Sequence, residues 1–261
     1  MPAEAVQTQL SPAVRAAVLD LIYRLADDSV VLGHRNSEWT GLGPILEEDI
    51  AFSSMAQDKM GHAQALFTLL HELGEPEPDA NAFLRTTEQY RCCELVALPR
   101  GDWAFSLVRQ FLFAEADRIR FELVSTSSYT PLAHLARKLH GELKYHVMHG
   151  RMWMTRFGKG TTEGRERIQA AINIAYPYAL GLFEPTSQDE AIALHGIGPS
   201  ESTVREQWQG EIESVLREAG LTLPKDAKAV FGGRVGKHGK DLADMLESMQ
   251  RVYRIDPSAK W

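Results

Sequence analysis

The chain has 261 residues, enough to bury a large hydrophobic core. Its 28 lysine and arginine residues stand against 35 aspartate and glutamate residues, and the net charge of −7 argues against a nucleic-acid-binding surface. No apolar stretch is long enough to span a bilayer, and the N-terminus does not resemble a secretion signal. The cysteines, Cys92 and Cys93, are neighbours, which disfavours a disulfide, so we expect a cytoplasmic protein.

Apolar residues at helical spacing predict four long helices in the first part of the chain. Serine, threonine or aspartate before the first turn, often with proline, marks the helix starts, and glycine marks the ends. The predicted helices begin at Ser11-Pro12, run from Pro44 to Gly74, begin after Asp102, and run from Thr130-Pro131 to Phe157.

The remaining segments predict shorter elements. Residues 75–100 are expected to be irregular with a short helical turn, and helical patterns follow at Thr162–Phe183, interrupted by Pro177, at Ser200–Gly220 and at Asp241–Arg254. Alternating strand patterns are almost absent, so the fold class is all-α. We predict a single domain over residues 1–261, with a four-helix bundle core at about 11–158 and additional C-terminal helices at about 159–261.

Polar side chains interrupt the inward faces of two of these helices. Lys59 and His62 lie in the apolar stripe of the second helix, and His146 lies in that of the fourth. Burying such groups is unfavourable unless they are paired. We therefore predict a buried polar network in which Lys59 pairs with Glu38, with Glu115 or with both.

The same positions bear on metal binding. A helical bundle binds two iron or manganese ions when carboxylates and two Glu-x-x-His pairs point inward. Here Lys59 stands three residues before His62 and Leu143 three residues before His146, so both pairs lack their glutamate. The sequence thus predicts a degenerate site without a metal, and no cofactor for this chain.

Several segments resemble the bacterial multicomponent phenylacetyl-CoA ring epoxidase, whose catalytic subunit carries two irons in a ferritin-like bundle. The missing carboxylates make the chain similar to the structural sister of that catalytic subunit, and the likeness covers nearly the whole chain. The segments are Asn36-Ser37-Glu38, Gln57-Asp58-Lys59-Met60-Gly61-His62, Glu142-Leu143-Lys144-Tyr145-His146 and Gly232-Gly233-Arg234.

This resemblance implies a ferritin-like fold and a non-catalytic scaffold role beside the catalytic subunit, which would hold the di-iron cofactor. It also implies further partners, including an NADPH-dependent reductase, and a complex that adds one oxygen atom of O₂ to the ring of phenylacetyl-CoA. By the same resemblance Glu38, His62 and His146 match ligand positions, Lys59 replaces a ligand glutamate, and Glu115 lies one residue beyond the third helix's ligand position.

Two further features leave alternatives open. Asp27 and Asp28 point about 100° apart on a helix, so we assign them to the surface or an interface and not to an acid–base pair. Arg234, Lys237 and His238 lie in a basic, glycine-rich segment that is either an ordered surface loop or an anion-binding site for a partner or a CoA thioester.

Two other functions compete with the scaffold role. One is a self-sufficient ferritin-like di-metal oxidase or iron-binding protein, which the missing carboxylates disfavour. The other is a helical adaptor without oxygen chemistry, which the family segments disfavour. No phosphate-binding loop or nucleophile motif points to a different enzyme.

Overall fold

The computed structural model describes residues 10–259, and within them every regular element is helical. Three short 3₁₀ turns join the α-helices at Thr87–Gln89, Gly181–Phe183 and Gly233–Val235. The α-helices of this range are α1 (Pro12–Ser37), α2 (Leu46–Glu72), α3 (Pro78–Phe83), α4 (Glu94–Ala97), α5 (Trp103–Val124), α6 (Thr130–Gly158), α7 (Thr162–Leu180), α8 (Asp189–Leu194), α9 (Glu201–Ala219) and α10 (Lys240–Ile255). The all-α class is therefore confirmed.

The predicted helix starts are confirmed where a side chain caps the first turn. Ser11, Asp102 and Ser200 accept hydrogen bonds from backbone N–H groups three residues further on, at 3.3, 2.8 and 3.2 Å. Two boundaries differ from the prediction. Helix α2 begins at Leu46, two residues after Pro44, and α1 ends at Ser37, so Glu38 is its C-terminal capping residue.

The core of the fold is a bundle of the four longest helices. Helix α1 packs along α2, α5 packs along α6, and α2 also contacts α6. The approach of α5 to α6 is close, since a Cβ atom built on Gly150 would lie 3.0 Å from the Cα of Phe111. This arrangement turns the polar residues of α2, α5 and α6 toward one another.

The C-terminal helices cover the bundle. Helices α7 and α9 pack against α5 and α6, and the indole Nε1 of Trp208 donates to the carbonyl of Leu112 at 2.8 Å. Helix α10 packs against α3 and α4. Among residues 10–259, no helix combines the length and the apolar character needed to cross a membrane.

The surface assignment of Asp27 and Asp28 is wrong, because both side chains are buried, with 0% and 2% of their area exposed. The Asp27 carboxylate forms an ion pair with Arg85. The Asp28 carboxylate accepts from the backbone N–H of Cys93 at 2.8 Å and from the guanidinium of Arg234, also at 2.8 Å. These aspartates tie the segment after α3 and the C-terminal region to α1.

Candidate functional site

A buried ion pair joins α2 to α5 at the centre of the bundle. Lys59 is fully buried, and its ammonium donates to the carboxylate of Asp117, whose side chain is 4% exposed. The ammonium also lies 5.2 Å from the centre of the Phe113 ring. The prediction that Lys59 belongs to a buried polar network is confirmed, but the predicted partners, Glu38 and Glu115, are wrong.

Two histidines flank this ion pair and pair with carboxylates in a reciprocal way. The Nε2 atom of His62 on α2 lies 2.7 Å from Glu142 on α6, and the Nε2 atom of His146 on α6 lies 2.9 Å from Asp58 on α2. Each carboxylate stands four residues before the histidine of its own helix but bonds the histidine of the opposite one. Their rings are stacked, with centroids 6.4 Å apart. We call Asp58, Lys59, His62, Asp117, Glu142 and His146 the central cluster.

The environment of the central cluster keeps both histidines neutral. Burial, reinforced by the charge of Lys59 and by His146, lowers the pKa of His62 to about 2. Burial also lowers the pKa of His146, although its hydrogen bond to Asp58 opposes this effect. A neutral imidazole that donates from Nε2 leaves Nδ1 as an acceptor, and neither Nδ1 atom has a hydrogen-bond partner among the described residues.

The cluster is in contact with solvent at one edge. The Glu142 side chain is 49% exposed, and burial together with the nearby Asp58 carboxylate raises its pKa. Because so exposed a carboxylate is well solvated, it stabilises an imidazolium at His62 only weakly. The burial of the imidazole therefore dominates.

A third histidine–carboxylate pair lies further along the same interface. The Nε2 atom of His149 on α6 is 2.8 Å from the Glu48 carboxylate on α2, and both side chains are buried. Sequence reasoning missed this pair, as it missed Asp58, Asp117 and Glu142. Together with the central cluster, it makes the contact between α2 and α6 largely polar.

The two predicted carboxylates lie elsewhere. Glu38, at the end of α1, pairs with Arg35 at 2.7 Å, and its side chain is 29% exposed. Glu115 is fully buried but faces Arg151 on α6, with an Nη2–Oε2 distance of 2.8 Å. The one-residue offset from the expected position on α5 rotates Glu115 by about 100° away from Lys59.

The basic glycine-rich segment is not an open anion-binding loop. Arg234 is buried in its ion pair with Asp28, and its backbone N–H donates to Glu184 at 3.0 Å. His238 pairs with Glu94, with an Nδ1–Oε1 distance of 2.9 Å. Of the three predicted residues, Lys237 alone is exposed. An external anion therefore cannot reach the Arg234 guanidinium without displacing Asp28.

The donor set of the central cluster does not fit a pair of iron or manganese ions. The ammonium of Lys59 lies where such a site needs anionic ligands, and Leu143 offers no donor atom. The Nε2 atoms of His62 and His146 already face carboxylates. Over residues 10–259, no group of three or more histidine, cysteine, aspartate and glutamate side chains is arranged to hold a metal ion.

The fold and the cluster together define a ferritin-like helical bundle in which a lysine–aspartate ion pair lies between the histidines of two core helices. The chain belongs to the phenylacetic acid catabolic protein family, whose model matches residues 1–261. It is also 32% identical over 239 residues to the PaaC subunit of the 1,2-phenylacetyl-CoA epoxidase of Escherichia coli (strain K12), a match that covers 91% of this chain and 96% of the relative. The resemblance to this component of the epoxidase is thus confirmed.

Proposed function

We propose that the chain is the cytoplasmic, non-catalytic scaffold of a phenylacetyl-CoA epoxidase, paired with the catalytic subunit that holds the di-iron cofactor. The observation that carries this proposal is the Lys59–Asp117 ion pair, which fills the centre of a ferritin-like core with a structural contact. The similarity to the PaaC subunit of the epoxidase supports the choice of complex.

Within the proposed complex, this chain acts through its shape and not through chemistry. Its neutral histidines have no exchangeable metal-bound water to activate, and their Nε2 protons are held by Asp58 and Glu142. The rigid bundle provides a complementary helical surface for the catalytic subunit, and the wider assembly includes the reductase that supplies electrons. Oxygen insertion into phenylacetyl-CoA belongs to the partner's site.

The test is co-expression of this chain with the catalytic subunit from the same organism. We expect a stable heteromeric complex, with iron bound by the catalytic partner and essentially none by this chain alone. About two metal ions per chain in the isolated protein would support the competing di-metal oxidase instead.

A variant complex separates scaffold from catalyst. Replacing the ion pair by apolar residues, with Lys59→Met and Asp117→Leu together, should leave the epoxidation rate of the assembled complex within about twofold, because no step uses these side chains. The matched control is an alanine substitution of one iron ligand in the catalytic partner, which should abolish the rate. Loss of activity from an intact complex carrying the double variant would contradict the scaffold role.

A further inference from the structure

An open groove of about 900 Å³ runs along the outer face of α6, with walls from α5 and α9. Its floor is apolar. Met148 and Met152 stand four residues apart on one side of α6, and 60% and 46% of their areas are exposed. Methionine adapts its shape to different partners and is enriched at protein interfaces.

The rim of this groove is basic on a chain whose net charge is negative. Arg118 and Arg151 are balanced by the chain's own carboxylates, including Glu211 on α9 at 3.5 and 2.8 Å. Lys144 and Arg156, also in the lining, form no ion pair with any described residue. The groove therefore offers two uncompensated cations beside exposed methionines.

The spacing of these cations matches a helical partner. Lys144 and Arg156 are twelve positions apart on α6, which corresponds to about 18 Å along the helix axis, or more than three turns of a second helix lying alongside. A small ligand fits less well, because small-molecule pockets enclose most of the ligand surface, whereas this groove is open along its length. Helix-in-groove contacts use this combination of an apolar floor and a charged rim.

We propose that the α6 groove is the docking site for an amphipathic helix of the catalytic subunit, one that carries carboxylates beside its apolar stripe. This inference rests on the proposed function, since it takes the catalytic subunit as the partner. The apolar stripe covers Met148 and Met152, and the carboxylates lie next to Lys144 and Arg156. The groove lies away from the central cluster, whose residues are not part of this contact.

The test is the affinity of the purified catalytic subunit for two variants of this chain, measured by calorimetry or biolayer interferometry. One variant is the charge reversal Lys144→Glu with Arg156→Glu, and the other is Met148→Asp. Each should weaken binding at least tenfold, and the effect of the charge reversal should shrink at high salt because screening weakens ion pairs.

Matched controls lie on α10, far from the groove. Val252→Asp changes an apolar residue that is 56% exposed, and Lys240→Glu reverses an exposed cation, so both should leave the affinity within twofold. Unchanged far-UV circular dichroism and melting temperature exclude misfolding, and should Met148→Asp misfold, the charge reversal alone decides.

Three results would overturn the inference, and they are distinguishable. If the wild-type chain binds the catalytic subunit, and both groove variants bind it equally well, the groove is not the docking site, and the proposed function stands. If the wild-type chain does not bind the catalytic partner at all, the proposed function fails as well. If light scattering shows a homodimer that the groove variants dissociate, the occupant is a second copy of this chain.

Discussion

Lys59 on α2 and Asp117 on α5 form an ion pair in which 0% and 4% of the two side chains are exposed. Each charge depends on the other, because taking either one out of water alone is strongly unfavourable. The pair holds two core helices in one relative rotation, and the neighbouring histidines and carboxylates fit around it.

Removing one member of this pair should be far more harmful than removing both. Lys59→Met leaves the Asp117 carboxylate buried without a partner, and we expect a loss of roughly 3–5 kcal/mol in the free energy of unfolding. The double variant Lys59→Met with Asp117→Leu should recover most of that loss. Urea denaturation of both variants provides the measurement, and additive losses would show that the two side chains do not interact.

Reversing the charge gives an independent check. Lys59→Glu places a second carboxylate beside Asp117, and we expect a lower melting temperature in metal-free buffer because two like charges then repel in a buried site. An unchanged melting temperature, recorded by calorimetry or circular dichroism, would rule out the ion pair.

The buried histidines predict a pH dependence of stability. The pKa values of His62 and His146 are lowered from 6.5, so the unfolded chain binds protons that the folded chain does not. Stability should therefore be highest above pH 6.5 and should fall as the pH drops, by about 1.4 kcal/mol per pH unit for each proton.

The variant His62→Gln should reduce this slope by one proton, because glutamine keeps a hydrogen-bond donor for Glu142 but does not titrate. The control is His195→Gln at an exposed position, which should leave the slope unchanged. Urea denaturation between pH 4.5 and 7.5 gives the slopes. Equal slopes for wild type and His62→Gln would show that His62 is not held neutral by the fold.

Arg234 should act on stability and not on ligand binding. Arg234→Ala leaves Asp28 buried and uncompensated, and we expect a loss of roughly 3–5 kcal/mol. Lys237→Ala, in the same segment but exposed, should change stability by less than about 0.5 kcal/mol. Weaker partner or CoA binding by Arg234→Ala at unchanged stability would instead restore the anion-binding interpretation.

Two glycines of α6 should respond in opposite directions to alanine. A Cβ atom on Gly158 would lie 2.2 Å from the carbonyl oxygen of Ala219 on α9, so Gly158→Ala should destabilise the fold by about 1–3 kcal/mol. Gly141 is exposed with open space around it, and Gly141→Ala should stabilise the helix by about 0.5–1 kcal/mol. Thermal melts distinguish the two, and equal effects would disprove the close contact of α6 with α9.

The sequence predicted local features of the fold well, because a helix start is encoded within a few residues. Ser11, Asp102 and Ser200 begin their helices through bonds to N–H groups three positions away. The inward positions of Lys59, His62 and His146 also followed from the helical period alone. These are properties of single helices.

The partners of these residues depend on how the helices are rotated against each other, and the period of one helix does not contain that information. Asp117 lies three residues after the position expected to face α2, which keeps it on the same side of α5 one turn away. A carboxylate four residues before each histidine, Asp58 before His62 and Glu142 before His146, was the available signal. It was missed because the search used the three-residue spacing of metal ligands.

The contact between Asp28 and Arg234 spans 206 positions of the sequence. During synthesis, α1 leaves the ribosome long before Arg234 is made, and Asp28 cannot bury its charge without a partner until then. The last step of folding is thus the arrival of the C-terminal segment, which allows α1 to settle into its final place. A nascent chain lacking this segment stays open along α1, where it is exposed to chaperones and proteases.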